Sequence, residues 1–343
     1  MRRITLKLAP IVIFALSLTG MAFGDSGNTR TAVPGTINYV EGQVSLDGSA
    51  LDSKSVGSAQ LQSGQTVTTT TGKTEFLLTP GVYVRLGDNS TATLISPNLT
   101  NTRISVDSGE AMVEVDQLYK QNDISVVQNG VSTELEKAGL YDFNAANDTV
   151  RVFDGQALVQ ANERNIKVKG GHELDLNTSG KLKPVKFNKD DAKTTDLYRW
   201  SSLRSNYLGE ANVDAASRYY VNGWYGPGWI GPGWYWDPWY AGFTYLPGDG
   251  FLYSPFGWGF YSPLFVYRSP LYYGGFYRGG FYGFHGRPGF VGHPPNRTVG
   301  AAVPRAGRPV GPAPAFRGAS GFHGAPGHAG GGFHGGMSMG GHR

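Results

Sequence analysis

Hydrophobic residues in 35–176 recur at every second position in short runs, most clearly over 74–95, which reads T-E-F-L-L-T-P-G-V-Y-V-R-L-G-D-N-S-T-A-T-L-I. Phe76 and Leu78 lie two apart. Pro80-Gly81 then marks a turn, and Val82, Val84 and Leu86 resume the alternation with Tyr83 and Arg85 on the opposite face. Gly87-Asp88-Asn89-Ser90 reverses the chain again before Ala92 and Leu94, because Asx and Ser side chains bond nearby backbone and Gly and Asn tolerate left-handed conformations. The pattern predicts strand, turn, strand, turn, strand. The rest of 35–176 is rich in Val, Thr, Ile and Leu and has no sustained 3.6-residue period, so an all-β domain is expected. It is long enough to bury about two-thirds of the surface that its unfolded chain exposes.

The domain repeats itself. Val40-Glu41-Gly42-Gln43-Val44 returns as Phe153-Asp154-Gly155-Gln156-Ala157, and Ser108-Gly109-Glu110-Ala111-Met112-Val113 is a looser third copy. Downstream, Leu61-Gln62-Ser63-Gly64-Gln65-Thr66-Val67 parallels Val168-Lys169-Gly170-Gly171-His172-Glu173-Leu174. Short strands with a glycine at each corner imply either a solenoid-like stack of β-coils or a sandwich of similar hairpins, and the unequal intervals weigh against a strictly regular solenoid.

Gly42 and Val44, 61–68, 78–90, Gly109 and Val113, 150–159 and 171–174 fall in an order of glycines and aliphatics that resembles the FecR domain. That domain is the periplasmic module of ferric-citrate-type sigma-factor regulators. The resemblance covers about 35–176, implies an exported β module of a sensing or scaffolding kind, and implies no chemistry. Two features depart from the family pattern. Its regulators carry a cytoplasmic segment and a membrane span before the domain, where this chain reads as a cleavable leader. Their G-T-x-F is replaced by Gly139-Leu140-Tyr141-Asp142-Phe143.

Beyond a lysine-rich bridge, Leu197, Trp200, Tyr207 or Leu208, and Ala211 recur at helical spacing, with acids first and arginines later as the helix dipole prefers. One amphipathic helix is expected over about 190–217, with Trp200 on the β-domain and a possible break at Gly209. At Tyr219 the composition changes. Residues 219–284 hold 27 of the 44 aromatic residues, interleaved with Gly and Pro in units such as Gly226-Pro227-Gly228-Trp229 and Gly231-Pro232-Gly233-Trp234. Proline at this density breaks helices and central strands, which predicts a low-complexity segment without a conventional core. Residues 285–343, rich in Gly, His, Arg and Pro, are expected to be disordered.

Arg2, Arg3 and Lys7, an apolar run over 8–18 and Ala22-Phe23-Gly24 give residues 1–24 the form of a secretory signal peptide. The apolar run is too short for a transmembrane anchor. Export is therefore expected, to the periplasm or to the cell envelope and its exterior. Residues 25–219 carry 19 basic and 24 acidic side chains, and 220–343 carry 8 Arg against 2 Asp, which is an acidic body with a basic tail. Behind an export signal this charge split points to anionic envelope polymers or lipid head groups rather than nucleic acid.

Trp224, Trp229, Trp234, Trp236, Trp239 and Trp258 are the candidate adhesion residues, because exposed indoles offer flat apolar faces with polar edges that suit sugar rings, the membrane interface or arginines of another chain. The bland alternative is a sticky segment that self-associates or packs on the β-domain. His323, His328, His334 and His342, with His285 and His293, are weak metal candidates whose spacing across glycine matches no structural metal motif. No metal or cofactor is expected. Arg278-Gly279-Gly280 has the form of a single-strand nucleic-acid segment, read here as Arg-aromatic cohesion between tails. Glu110, Glu114 and Asp116 alternate on one strand, as a solvated sheet face would. With no G-x-S-x-G, H-E-x-x-H, Walker loop or cysteine, an enzyme is not expected. The favoured reading is an envelope-associated binding or scaffolding protein that contacts a polymer, a glycan or other copies of itself through the aromatic segment. The alternative is a periplasmic sensor or regulatory partner that binds another envelope protein through the FecR-like domain.

Overall fold

The computed structural model describes residues 31–161, 163–177 and 182–272. Fifteen strands form one sheet: β1 (Ile37–Leu46), β2 (Ser49–Leu51), β3 (Thr66–Leu77), β4 (Val82–Leu86), β5 (Thr91–Asn98), β6 (Asn101–Ser108), β7 (Glu110–Val115), β8 (Ile124–Gln128), β9 (Val131–Leu135), β10 (Gly139–Asn144), β11 (Thr149–Asp154), β12 (Gln156–Ala161), β13 (Arg164–Lys169), β14 (His172–Asp175) and β15 (Val185–Lys186). The order is β13-β12-β9-β8-β6-β5-β3-β4-β7-β10-β11-β14-β15, with β1 and β2 branching from β3. Of the described pairs only β6 with β8 is parallel, so the architecture is sandwich-like rather than a solenoid of parallel coils or a closed barrel. The expected unit at 74–95 forms β3, β4 and β5, with Gly81 at φ +85° and Asn89 at φ +51° in its two reversals. Phe76, Leu78, Val84, Leu86, Ala92 and Leu94 are fully buried in the core between the folded-over parts of the sheet.

The repeat glycines mark irregularities of that sheet, Gly42 at a register shift inside β1 and Gly155 between β11 and β12. Gly42 has φ +68° and Gly155 φ +94°, and a side chain at either position would run into the Thr71 carbonyl or the Tyr141 hydroxyl respectively.

Two helices follow the sheet. α1 (Lys189–Ala192) is one turn, and α2 (Asp196–Arg218) starts at Thr195, whose side chain accepts from the Tyr198 N–H at 3.4 Å. The single helix expected over 190–217 is thus divided near its start. It is not divided at Gly209, which lies inside α2 where an added Cβ would meet the Gly259 carbonyl and Trp258 Cβ, each at 3.4 Å. A small residue here admits a neighbouring hairpin. Trp200 packs on the sheet as expected, donating to Glu41 at 2.9 Å with its ring 5.8 Å from Tyr39.

The aromatic segment is where the structure departs furthest from the sequence reading. Residues 219–272 form β16 (Tyr220–Val221), β17 (Trp224–Tyr225), β18 (Gly233–Asp237), β19 (Gly242–Leu246), β20 (Phe251–Tyr253), β21 (Gly259–Tyr261) and a 3₁₀ turn (Pro263–Arg268). These pair as three hairpins, β16-β17, β18-β19 and β20-β21. The prolines lie between the strands. Pro232 precedes β18, Pro238 and Pro247 follow β18 and β19, Pro255 joins β20 to β21, and Pro263 opens the 3₁₀ turn. They punctuate strands instead of interrupting them. Phe243, Tyr245, Leu246, Phe260 and Val266 are fully buried, so this part has a core, which it shares with α2 and with Leu77 and Tyr83 of the sheet. The signal segment 1–24, the remainder of the aromatic segment and the tail 285–343, including all six histidines assigned there, lie outside the described residues.

Candidate functional site: an aromatic tip above a buried ion-pair network

The second face of the sheet carries charge, and α2 and the aromatic hairpins cover it. Glu75 of β3, Arg85 of β4 and Glu114 of β7 have no exposed surface. Glu75 accepts from Arg85 Nε at 2.7 Å, Arg204 Nη2 of α2 at 2.8 Å and Asn38 Nδ2 of β1 at 2.8 Å. Glu114 accepts from Arg85 Nη1 and from the Ser205 hydroxyl of α2 at 2.6 Å. Ser205 also bonds Ser254 at 3.1 Å. Burial pushes the Glu75 carboxyl up, but Arg204 and Arg85 outweigh it and hold the group below its ordinary value. Tyr83, whose hydroxyl burial drives well up, accepts from the Tyr245 N–H at 3.2 Å, and Tyr245 bonds Tyr119 at 2.8 Å. Four strands, the helix and two aromatic hairpins are joined through one network.

Two asparagines complete the attachment. Asn38 pairs with Phe243 as a strand residue would: its Nδ2 donates to the Phe243 carbonyl at 3.0 Å, and its Oδ1 accepts the Phe243 N–H at 2.7 Å. Asn212 of α2 links β19 to β21, donating to the carbonyls of Tyr245 at 2.8 Å and Tyr261 at 3.1 Å and accepting the Tyr261 N–H at 2.8 Å. Buried backbone groups that no neighbouring strand reaches are satisfied this way.

On this base stands an exposed tip. Tyr225, Trp229 and Tyr235 stack in series, with centroids 5.0 Å apart at 3° and then 5.3 Å apart at 8°. Tyr219 meets Trp229 and Tyr235 at 6.0 and 5.1 Å. Tyr225 donates to the Gly248 carbonyl at 2.6 Å, and Tyr235 donates to the Gly231 carbonyl at 2.6 Å, which fixes both ring planes. Outside this stack Trp224 is 78% exposed and Ile230 88% exposed. No residue from 219 to 236 carries a charge.

The six candidate tryptophans therefore separate. Trp224 lies on the tip. Trp239 is 62% exposed but sits in the β18-β19 turn, about 13 Å of strand rise from the tip end of that hairpin. Trp229 is the middle ring of the stack. Trp234 packs edge-on against Tyr83 at 5.0 Å, Trp236 against Phe243 at 5.2 Å, and Trp258 donates to the Ser202 carbonyl at 3.2 Å. Trp234 and Trp258 hold the hairpins to the sheet and to α2, and Trp236 packs across its own hairpin. Ile230 and Tyr225 were missed by sequence reasoning. Ile230 had a signal, as the one aliphatic residue between two G-P-G-W units.

Glu114 and Asp116 do not lie on a solvated face, since they are 0% and 6% exposed beneath α2 and β19. Period-2 alternation identifies a shared face and does not tell what covers it. Among the described residues no group of three or more His, Asp or Glu side chains is arranged to hold a metal, and no helix is long and apolar enough to cross a membrane.

Two crystal structures of a candidate anti-sigma factor from Parabacteroides distasonis are similar to this chain. One has a TM-score of 0.31 at 13% identity, over 40% of this chain and 63% of that one. The other has a TM-score of 0.32 at 12% identity, over 45% of this chain and 73% of that one. The chain thus spans under two thirds of the first. No family model and no curated protein matches the sequence.

Proposed function

We propose that this is an exported, non-enzymatic binding or scaffolding protein of the cell envelope, with a FecR-like sheet as its body and the aromatic tip as its contact surface for an uncharged polymer such as glycan strands. The observation that carries this reading is the exposure of Trp224 and Ile230 on a stacked, hydrogen-bonded ring support. Hydrophobic side chains this exposed, on a support this ordered, suit a partner surface better than solvent. The absence of charge from 219 to 236 favours stacking and apolar contact over electrostatic attraction to an anionic surface. The sheet body is read as FecR-like because glycines that carry the motif, among them Gly42, Gly64, Gly81, Gly109, Gly155 and Gly171, all take the positive φ that favours glycine.

The test is co-sedimentation of the full chain with cell-wall and outer-envelope fractions, with Trp224→Ala and Ile230→Ser as variants, at about 0.1 M and about 1 M salt. Binding that survives high salt and falls about tenfold or more in each variant supports the proposal. Unchanged binding in both variants sinks it and moves recognition to the sheet body. The second reading, a regulatory partner bound through a sheet edge, would then apply at β13, which pairs with β12 alone among the described strands. Exposed Arg164, Lys167 and Lys169 on β13 weigh against simple strand addition there.

A further inference from the structure

We propose that the seating of α2 and the aromatic hairpins on the sheet is proton-linked, through three carboxyl pairs that follow the length of α2 and are each complete only when one member holds a proton.

The central pair is Glu114 and Asp116, side by side on one face at the end of β7. Around Asp116 stand Glu75 from β3, Arg85 and Tyr83 from β4, Glu114 from β7, Tyr245 from β19, Tyr119 from the loop after β7 and, across Glu75, Arg204 from α2. In this buried cluster three carboxyls face two guanidiniums, so charge balances only when one carboxyl is neutral. The bonding pattern identifies which. Glu75 and Glu114 each accept from arginine, whereas neither oxygen of Asp116 meets a donor. The group within hydrogen-bonding reach of Asp116 is the Glu114 carboxylate, which an ionised Asp116 cannot bond and a neutral one can. Burial and the Glu114 charge push the Asp116 carboxyl well above the usual carboxylate range.

Two further carboxyl pairs lie at the two ends of α2. Near its start, Glu110 of β7 meets Asp142 of β10, and one guanidinium, Arg151 of β11, is shared between Asp142 at 3.0 Å and Glu173 of β14 at 2.9 Å. Asp196 of α2 faces Glu110 while bound by Lys73 at 2.7 Å. Asp142 Oδ1 has no donor, and burial with Glu110 pushes that carboxyl well up. Near the end of α2, Asp214 meets Asp237 of β18, with Arg218 at 3.4 and 2.6 Å respectively; Asp237 Oδ1 also accepts the Trp239 and Tyr240 N–H groups at 2.8 and 3.0 Å, and Asp214 Oδ2 is the oxygen of this pair without a hydrogen-bond donor. Glu210 with Tyr240 is the neighbouring acidic group. Burial and Asp214 raise Asp237 to about 7.

A carboxyl raised in the folded state holds its proton more tightly there than in the unfolded chain. Its contribution is complete below the ordinary value of about 4 and is lost as pH climbs through the raised one. For Asp237 that loss falls between about 4 and about 7. Attachment of the hairpins therefore weakens with rising pH, by up to about tenfold in the opening equilibrium per pH unit for each proton released.

Amide hydrogen exchange of β19 and β21 in the full chain, corrected for intrinsic exchange and recorded from about pH 5 to about pH 8, reads this directly. The expected result is a wild-type opening constant that rises by about tenfold or more across the range, a flatter profile in Asp237→Asn, and greater protection at about pH 8 in Asp116→Asn. A flat wild-type profile overturns the proposal, as does a slope that neither variant changes. The wild-type profile decides even if one variant fails to fold. No polymer is present in this experiment, so its failure leaves the reading of the aromatic tip untouched.

Discussion

Arg85 has no exposed surface, and its guanidinium lies between two carboxylates that belong to strands on either side of it in the sheet. A buried ion pair of this kind adds little net stability over an apolar substitute, but removal of one partner leaves the others charged and unsolvated. Arg85→Met is therefore expected to cost about 3–5 kcal/mol in denaturant unfolding, because Glu75 and Glu114 lose their shared cation. Asp116→Asn has the opposite sign at neutral pH. It supplies a donor to Glu114 and removes the odd charge, so the denaturation midpoint should rise at about pH 8 and change little at about pH 4. A midpoint that falls at both values would contradict the assignment of Asp116 as the proton-holding partner. Little of this was visible in the sequence. The alternation at 74–95 placed Tyr83 and Arg85 together opposite Phe76 and Val84, which is correct, but a polar residue on a strand's second face is equally consistent with water.

At the scale of elements, α2 is the part that turns a sheet and three hairpins into one body. Its buried positions include Ser201, Arg204, Ser205 and Asn212 beside Leu208, Ala211 and Ala215. Arg204, Ser205 and Asn212 point inward because Glu75, Glu114, Ser254 and the backbone of Tyr245 and Tyr261 bond them. Asn212→Ala should cost about 2–3 kcal/mol, since it strands the backbone groups of Tyr245 and Tyr261 that the amide now satisfies. Gly209→Ala should be close to neutral, with an added Cβ at ordinary contact distance, whereas Gly209→Leu should push β21 off the helix and destabilise by about 1–3 kcal/mol. Equal effects of the two glycine substitutions, measured by thermal unfolding, would refute this account of the helix-hairpin contact. The helix itself was legible from the spacing of Leu197, Trp200, Leu208 and Ala211. The hairpins were not. Gly and Pro counts describe how often the chain turns and do not record that the turns fall at regular distances with aromatic residues between them. The spacing of Pro232, Pro238, Pro247 and Pro255 around β18, β19 and β20 held that information.

For the whole molecule, the hairpins act both as a cover for the sheet and as a platform for the tip, and this separates two experiments that the sequence alone would merge. A chain ending at Tyr219 loses the covering of Leu77 and Tyr83 along with Trp224, so lost binding in that truncation has no single meaning. It should expose apolar surface, read as increased binding of a hydrophobic dye, and it should unfold at lower denaturant than the full chain. Point changes on the tip avoid this difficulty because Trp224 and Ile230 contribute little to either core. Their loss should leave thermal stability within about 0.5 kcal/mol of the parent, as expected for exposed substitutions.

The most direct measurement is thus co-sedimentation of the full chain and of its Trp224→Ala variant with purified cell-wall and outer-envelope fractions at about 1 M salt, where electrostatic contributions are screened. An aromatic tip that holds an uncharged polymer predicts salt-resistant binding by the parent and at least about a tenfold loss in the variant, with unfolding unchanged. Equal binding by the two proteins, or binding by the parent that vanishes in salt, would contradict it.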